Sequence, residues 1–459
     1  MTAMGPATRK IPIVAIATAL GKAGVGIVRI SGADLKGLAY AITNKTLQAR
    51  NATLVQLHNQ EKQPIDSCLA IYFPGPHSFT GEDVLELQCH GGPQLLNLVL
   101  QRCLQLGGPL ELAIAEPGEF SLRAFLNGKI DLAQAEAIAD LIDAQSHAAV
   151  MGAARSLQGV FSEDINELVL ALTQLRILVE STLDFPEEEI EFLESAHARE
   201  RLNDIKERLN HLVSTATQGR ILRDGIQLVL VGAPNVGKSS LLNCLAGEDV
   251  AIVTAVAGTT RDRVKESITV DGVPIHIIDT AGLRPTEDAV EAIGIGRTWA
   301  SIRAANVVVF IEAPDVQRTE AGLYAAVMAE LPTGCASLRL CNKADLVSER
   351  AAGYEPGVLY VSAKTGAGIP ELKSAILRCV GWQAGQEDVL ISRQRHIDCL
   401  VRAEAALNKA SQYALEGNRA LELFAEELRL AQEHLGQITG RLLPDDLLGK
   451  IFSQFCIGK

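Results

Sequence analysis

The run Gly232-Ala233-Pro234-Asn235-Val236-Gly237-Lys238-Ser239 sets two glycines, a lysine and a hydroxyl at a spacing that can wrap a backbone around phosphate. The glycines let the main chain approach anionic oxygens, and amides at the start of a following helix, Ser240 among them, donate to those oxygens. Lys238 neutralises the β and γ phosphates and is the candidate catalytic cation, while Ser239 offers an oxygen to magnesium. The pattern G-x-x-x-x-G-K-[ST] carries this chemistry where an apolar strand precedes it and a helix follows. Here Ile226 to Val231 precedes it and Ser240 to Leu245 follows. Further on, the apolar run Ile275 to Ile278 ends in Asp279-Thr280-Ala281-Gly282. A carboxylate at that strand end can hold magnesium through water, and the Gly282 amide can sense the γ-phosphate. Between the two lies Gly258-Thr259-Thr260-Arg261-Asp262, where a threonine hydroxyl, assigned to Thr260, can close the magnesium shell as a switch.

The choice of base is carried by Asn342-Lys343-Ala344-Asp345 and Ser362-Ala363-Lys364, each behind a further apolar run. A carboxylate at Asp345 only accepts hydrogen bonds, which suits guanine, whose N1–H and exocyclic amine both donate; adenine presents an acceptor at N1. Lys343 can lie along the base plane. These elements, in this order, predict GTP as the substrate. A Ras-like site uses a glutamine after the Asp-x-x-Gly acid to orient water and often an arginine to neutralise the transition state. Here Leu283 follows Gly282 and cannot orient water. Asn235, inside the phosphate loop, could instead help coordinate a monovalent cation beside the β and γ phosphates.

The elements that must position these residues follow from the changes in period. Residues 1–125 mix short β-like runs (Ile13 to Ala17, Gly26 to Ile30, Leu69 to Phe73, Val84 to Cys89) with Gly/Pro turns, predicting an α+β domain. Residues 126–217 are Ala/Leu/Glu-rich, with apolar residues at Leu132, Ala135, Ile138, Ala139 and Ile142 in helical spacing. Residues 218–382 alternate strand-like runs with helix-length segments, predicting a mostly parallel, doubly wound sheet. Residues 383–459 return to helical text. The expectation is a multidomain α/β plus α chain, with an α/β domain inserted into a helical domain made of two segments.

Composition bounds the rest. At 459 residues the chain is long enough for about three domains. With 47% hydrophobic and 21% charged residues it is neither disordered nor fibrous. The net charge of -13 excludes a basic nucleic-acid footprint over the whole surface. The nine cysteines form no C-x-x-C and no zinc spacing, which predicts a reduced, cytosolic compartment. Arg9 and Lys10 before the run Ile11 to Leu20 have the outline of a secretion signal, but Pro12, Thr18 and the following β-branched run Val25 to Ile30 favour strand, loop, strand. No run predicts a membrane span. Two decoys are set aside: Gly21-Lys22-Ala23-Gly24-Val25-Gly26 is a loose glycine-rich loop, and His90-Gly91-Gly92 lacks the G-x-S-x-G elbow of an esterase.

Read together with Phe73-Pro74-Gly75-Pro76, Ser78-Phe79-Thr80-Gly81-Glu82-Asp83 and the terminal Phe455-Cys456-Ile457-Gly458-Lys459, the nucleotide motifs closely resemble the bacterial tRNA-modification GTPase family MnmE, also called TrmE. The resemblance covers essentially the whole chain. It implies a GTPase that acts with an MnmG-type FAD protein in a heterotetramer. Together they install an aminomethyl or carboxymethylaminomethyl group on carbon 5 of the wobble uridine of certain tRNAs. A tetrahydrofolate derivative (5-formyl- or 5,10-methylene-tetrahydrofolate) supplies the one-carbon unit. The resemblance also implies a folate-binding N-terminal domain that forms a homodimer, a helical domain of two chain segments, an inserted Ras-like P-loop GTPase domain and a cytoplasmic protein without membrane association.

Site residues follow from the same resemblance. Asn235 matches a potassium ligand, with Thr254, Val256 (through its backbone) and Thr259 in the potassium loop. Potassium and self-association of the GTPase domains are then both required for activity. Glu291 matches a water-positioning glutamate, although on sequence alone the solvated helix carboxylate is the stronger reading. Arg29, Glu86 and Lys129 match folate contacts, where a cation suits the glutamate tail and a carboxylate suits the pterin's donor edge; Lys459 matches a further contact. Cys456 stands where a prenylation signal would stand, but Gly458 is not aliphatic and Lys459 is atypical. The family reading sets its thiol near the folate site, in a catalytic or structural role. A regulatory GTPase of ribosome assembly shares the nucleotide motifs and differs in the flanking domains. A stand-alone folate one-carbon transferase leaves the GTPase motifs without a task. With an acidic chain, much of the tRNA phosphate contact is expected on a basic partner surface.

Overall fold

The computed structural model describes residues 11–19, 21–184, 197–246, 266–279, 299–300, 302–315, 321–346, 357–383, 389–416, 420–441, 445–455 and 458. They form two compact units. One draws on residues 1–139, 157–173 and 432–459, and the other on 140–156 and 174–431.

The first unit is built on a six-stranded sheet of order β3-β4-β5-β2-β1-β6. Its strands are β1 (Ile13–Ile16), β2 (Ala23–Gly32), β3 (Thr53–His58), β4 (Pro64–Phe73), β5 (Asp83–Gly91) and β6 (Ala113–Ile114). Alternation decides which face is covered: in β3, Val55 and Leu57 are buried while Leu54, Gln56 and His58 are exposed. The buried set packs under α1 (Lys36–Thr43) and α2 (Pro93–Gly107) through Leu38, Ile42, Leu96, Val99 and Cys103. Cys68 and Cys89 share this core, and burial pushes the Cys103 thiol up to about 12. Helix α3 (Glu119–Leu126) follows. Helix α4 (Leu132–Asp143) begins in this unit, and its residues from Asp140 onward belong to the second.

Helices α5 (His147–Leu157), α6 (Val160–Asp184) and α7 (Ala198–Asp224) then lead to the second sheet. It has the order β12-β11-β10-β7-β9-β8, from β7 (Ile226–Gly232), β8 (Glu266–Val270), β9 (Val273–Asp279), β10 (Val307–Glu312), β11 (Ala336–Cys341) and β12 (Val358–Tyr360). All its pairings are parallel except β8 with β9. Central strands of such a sheet are covered on both faces and read as continuous apolar runs. Leu228 and Leu230 of β7 and Val307 and Val309 of β10 accordingly face one core, while Val229, Val231, Val308 and Phe310 face another. The chain runs from β7 to β9 on one side and then to β10 on the other. The carboxyl end of β7 is therefore a topological switch point, where open α/β sheets bind ligands. Helices α8 (Lys238–Ala246) and α10 (Ile369–Cys379) pack into the first of these cores through Leu241, Leu245, Leu372 and Ile376, and α9 (Ala321–Glu330) packs into the second through Val327.

Helix α11 (Gln394–Leu415) follows the sheet and packs back on α7, which precedes it. Both carry buried stripes three and four residues apart, Leu202, Ile205, Leu209, Leu212 and Ala216 against Leu400, Ala403, Leu407, Ala410 and Ala414. Lys206 Nζ donates to Ser411 Oγ at 3.0 Å across them. Helices α12 (Leu421–Thr439) and α13 (Asp445–Phe452) complete the chain. Phe452 and Phe455 pack with Leu122 and Leu132, so the C-terminal segment is part of the first unit's core. The sequence reading missed β3, β6 and β8, which are short or polar enough to pass as loop.

His276 in β9 lies against the end of α7, with its Nδ1 3.0 Å from Ser267 Oγ. Burial pulls its pKa below the ordinary histidine value, and a hydrogen bond to the Asp224 backbone works the other way. The folded state therefore binds fewer protons here than the unfolded chain, so the stability this group contributes is complete above the unfolded value near 6.5 and is lost as pH falls through it. Thermal unfolding scans between about pH 7 and 5 are expected to show a falling midpoint whose slope is reduced in His276→Gln. Equal slopes in parent and variant would contradict this.

Candidate functional site

The phosphate-loop motif lies at the switch point, between the end of β7 and the start of α8. Lys238 opens the helix and turns its ammonium back on the loop, donating to the carbonyls of Gly232 at 2.7 Å and Ala233 at 3.3 Å. Gly237 has φ +91°, and a Cβ there would stand 2.4 Å from Asn342 Nδ2, so both its conformation and its neighbour demand glycine. Asn235 is exposed at φ 63°, a left-handed conformation that asparagine tolerates better than most residues.

Asn342 is 1% exposed and serves two loops at once. Its Nδ2 donates to the Val236 carbonyl in the phosphate loop at 2.8 Å, and its Oδ1 accepts from the Ala363 amide at 3.1 Å. The three stretches that sequence reading assigned separately to phosphate and base are thus tied by one side chain. Asp345, in the turn Ala344–Leu346, accepts from Ser362 Oγ at 2.6 Å. That hydrogen bond holds its carboxyl below the ordinary carboxylate value, so it stays an ionised acceptor in neutral and mildly acidic solution. Lys343 reaches both oxygens of Asp315, at 2.7 and 3.0 Å.

A cavity of about 700 Å³ opens here, lined by Lys343, Asp345, Ala363 and Lys364 from the loops and by Ser240, Asn243 and Cys244 from α8. Asn243, Cys244 and Asp315 were not singled out from sequence. The first two stand one helical turn beyond Ser240, a spacing that would have put them on the same face.

In the first unit, Arg29 of β2 and Glu86 of β5 are direct cross-strand partners. Arg29 Nε and Nη2 lie 2.9 and 2.8 Å from Glu86 Oε1, and Nη1 donates to the Gly458 carbonyl at 3.2 Å. The guanidinium stands 5.8 Å from the centre of the Phe120 ring. Two residues that the family resemblance assigns to folate are thus one ion pair, with side chains 22% and 15% exposed, and the Gly458 carbonyl reaches it. Lys129 is exposed and its Nζ donates to the Pro76 carbonyl at 3.0 Å.

The loop from Phe73 to Asp83 is braced from both sides. Ser31 Oγ meets Thr80 Oγ1 at 2.7 Å and donates to Glu82 Oε2 at 2.8 Å. Arg123 bonds Glu82 at 3.0 Å and Glu119 at 2.9 Å, and Asn127 Nδ2 donates to the Thr80 carbonyl at 2.7 Å. These contacts give a physical reason for Thr80 and Glu82 of the S-F-T-G-E-D motif.

Thr254, Ala255, Val256, Ala257, Gly258, Thr259, Thr260, Thr280, Ala281, Gly282, Glu291, Cys456 and Lys459 lie outside the described residues; of Asp279 the backbone alone is described, as the last residue of β9. Among the described residues no helix is long and apolar enough to cross a membrane.

Comparison with known proteins bears on the whole chain. Residues 12–129 match the family described as GTP-binding protein TrmE N-terminus, and residues 132–456 match the MnmE helical domain. A tRNA modification GTPase MnmE of Polynucleobacter asymbioticus is 66% identical over 455 residues, covering 98% of this chain and 100% of that protein. Proteins of the same description from Ralstonia nicotianae and Paraburkholderia xenovorans are 51% and 53% identical, covering 98% of this chain and 97% and 98% of theirs. With the N-terminal sheet, the flanking helices and the phosphate-loop sheet all present in one chain, it belongs to the tRNA modification GTPase MnmE family.

Proposed function

We propose that this chain is a potassium-dependent GTP hydrolase whose cycle drives modification of the wobble uridine of certain tRNAs. The observation that carries the nucleotide half is Asn342, which joins the phosphate loop to the base loops beside a cavity large enough for a nucleotide. On binding, Lys238 exchanges the Gly232 and Ala233 carbonyls for β and γ phosphate oxygens. Asp345 accepts the two guanine donors, and Lys343, anchored by Asp315, lies along the base. Ser239 and Thr260 would hold magnesium, with Asp279 acting through water, and the ion would neutralise charge on the phosphates. Such an ion takes few protein oxygens and completes its shell with phosphate, which fits the exposed hydroxyl of Ser239. Asn235, Thr254, Thr259 and the Val256 carbonyl would hold potassium, which supplies the positive charge that other GTPases take from arginine. Glu291 orients the attacking water.

The tRNA half rests on family membership. The Arg29–Glu86 pair and Lys129 offer a carboxylate and two cations within one domain, a donor set that fits a tetrahydrofolate derivative with its pterin edge and anionic tail. Lys459 and the Cys456 thiol would join this site from the chain end that Gly458 brings to Arg29. The working assembly is a homodimer joined by an MnmG-type FAD protein in a heterotetramer, in the cytoplasm. The one-carbon unit ends on carbon 5 of the uridine, and GTP supplies no atom to it.

Nucleoside analysis of tRNA from cells lacking the protein tests this reading; intact modified wobble uridines would overturn it. A second test separates it from a ribosome-assembly GTPase, which needs no folate. Lys129→Ala removes an exposed cation and is expected to weaken 5-formyltetrahydrofolate binding about tenfold without lowering the unfolding midpoint. Arg29→Ala removes a partner of a half-buried carboxylate, so it should lose both binding and stability. Absence of folate binding in the parent protein would favour the ribosome-assembly role.

A further inference from the structure

Asp140, near the end of α4, has a side chain only 5% exposed. Its Oδ1 accepts from Arg223 Nε and from Arg393 Nη2, each at 2.8 Å, and its Oδ2 accepts from Arg393 Nε at 3.3 Å. Arg223 stands in the last turn of α7, just before the chain enters β7. Arg393 caps α11, just after the chain has left the GTPase sheet. One carboxylate thus holds the incoming and the outgoing connection of the whole sheet, although the two arginines are far apart in sequence.

The seam around it is built to stay closed. Gln218 of α7 donates from Nε2 to the Gly381 carbonyl at 2.9 Å and accepts from the Gln383 amide at 3.0 Å. Ser156 of α5 donates to the Ile391 carbonyl at 3.2 Å. The Leu390 carbonyl lies so close to Gly219 that a Cβ there would be 1.7 Å away. Asp224 takes a second bond from Arg223, at 2.5 Å, leaving a cluster of two carboxylates and two guanidinium groups without net charge. Helix α4 continues without a break from Asp140 back to Leu132, which belongs to the first unit.

We propose that Asp140 is a positioning residue for the coupling of GTP hydrolysis to tRNA modification: it locks both connections of the GTPase sheet to α4, so that movement of the sheet is delivered to that helix. This rests on the function proposed above. Without the carboxylate two guanidinium groups face each other, the connections loosen, and motion of the sheet is absorbed there. Nucleotide binding and hydrolysis use none of these groups.

The test uses the full-length chain, with GTP turnover measured on purified protein and wobble modification measured in cells that depend on it. Asp140→Asn is expected to keep turnover within about twofold while modification falls about tenfold, within the usual range of coupling between sites. Asp140→Glu, which keeps the carboxylate, is expected to recover most of the modification. Arg393→Lys, which keeps the charge but not the forked contact, should show the same split, and decides the matter if Asp140→Asn fails to fold. Parallel loss of turnover and modification, or unchanged modification in well-folded variants, would overturn the clamp. If the parent chain itself restores no modified nucleoside, the functional reading falls and the clamp falls with it; if only the variants behave like the parent, the clamp alone is wrong.

Discussion

Asp345→Asn is expected to lower GTP affinity at least about a hundredfold and to raise affinity for XTP, because an ionised acceptor facing two guanine donors is replaced by an amide. Xanthine carries a carbonyl where guanine carries its amine, so the amide's donor finds a partner only in XTP. The hydrogen bond from Ser362 Oγ at 2.6 Å positions the carboxylate and keeps it ionised, so the preference should not depend on pH between neutral and mildly acidic solution. Competitive titration of GDP against XDP reads the exchange directly. Turnover of XTP by the variant would separate altered recognition from loss of fold, and an unchanged guanine preference would remove Asp345 from the base site.

The second large effect concerns stability. Gly219 lies inside α7, where the ideal Cβ position is 1.7 Å from the Leu390 carbonyl oxygen and 3.1 Å from the Ser392 amide. Both neighbours are backbone, so no side chain can swing away. Gly219→Ala must push the segment 389–393 off the helix, at an expected cost of roughly 3 kcal/mol, which lowers the unfolding midpoint of its unit by about 6–12 °C. Gly37→Ala in α1 is the control: nothing lies within 4 Å of its Cβ position, and it should be neutral or slightly stabilising. A harmless Gly219→Ala would mean that the seam between α7 and the outgoing chain is looser than its geometry.

The parts of the site legible in sequence are those whose chemistry is local. The phosphate loop, N-K-x-D and S-A-K each present their groups within a few residues. Strand β7, before the phosphate loop, is a nearly continuous apolar run covered on both faces, while β11 alternates and β12 is a short edge strand. The ion pair of Arg29 with Glu86 was not legible as a pair, since strand register brings together residues that no spacing connects. The same holds for Asp140 with Arg393 and for Gln218 with Gly381, where partners meet only after an entire sheet has folded between them. Strand β8 escaped because Glu266-Ser267-Ile268-Thr269-Val270 lies at a sheet edge, where burial on one side leaves only Ile268 and Val270 as apolar markers. Asn342 was legible as part of a guanine motif. Its grip on Val236 was not, because the phosphate loop is remote in sequence.

That grip bears on how the nucleotide's two ends are sensed. Asn342 spends its amide donor on the phosphate loop and its acceptor on the Ser362-Ala363-Lys364 loop, so neither loop can be set in its binding geometry independently of the other. Guanosine and pyrophosphate, offered as separate fragments, would each have to order a shared scaffold, while the intact nucleotide orders it once. Recognition at this site is therefore expected to be superadditive: in a competition titration, a nucleoside without its phosphates should compete less well than its own hydrogen bonds would suggest.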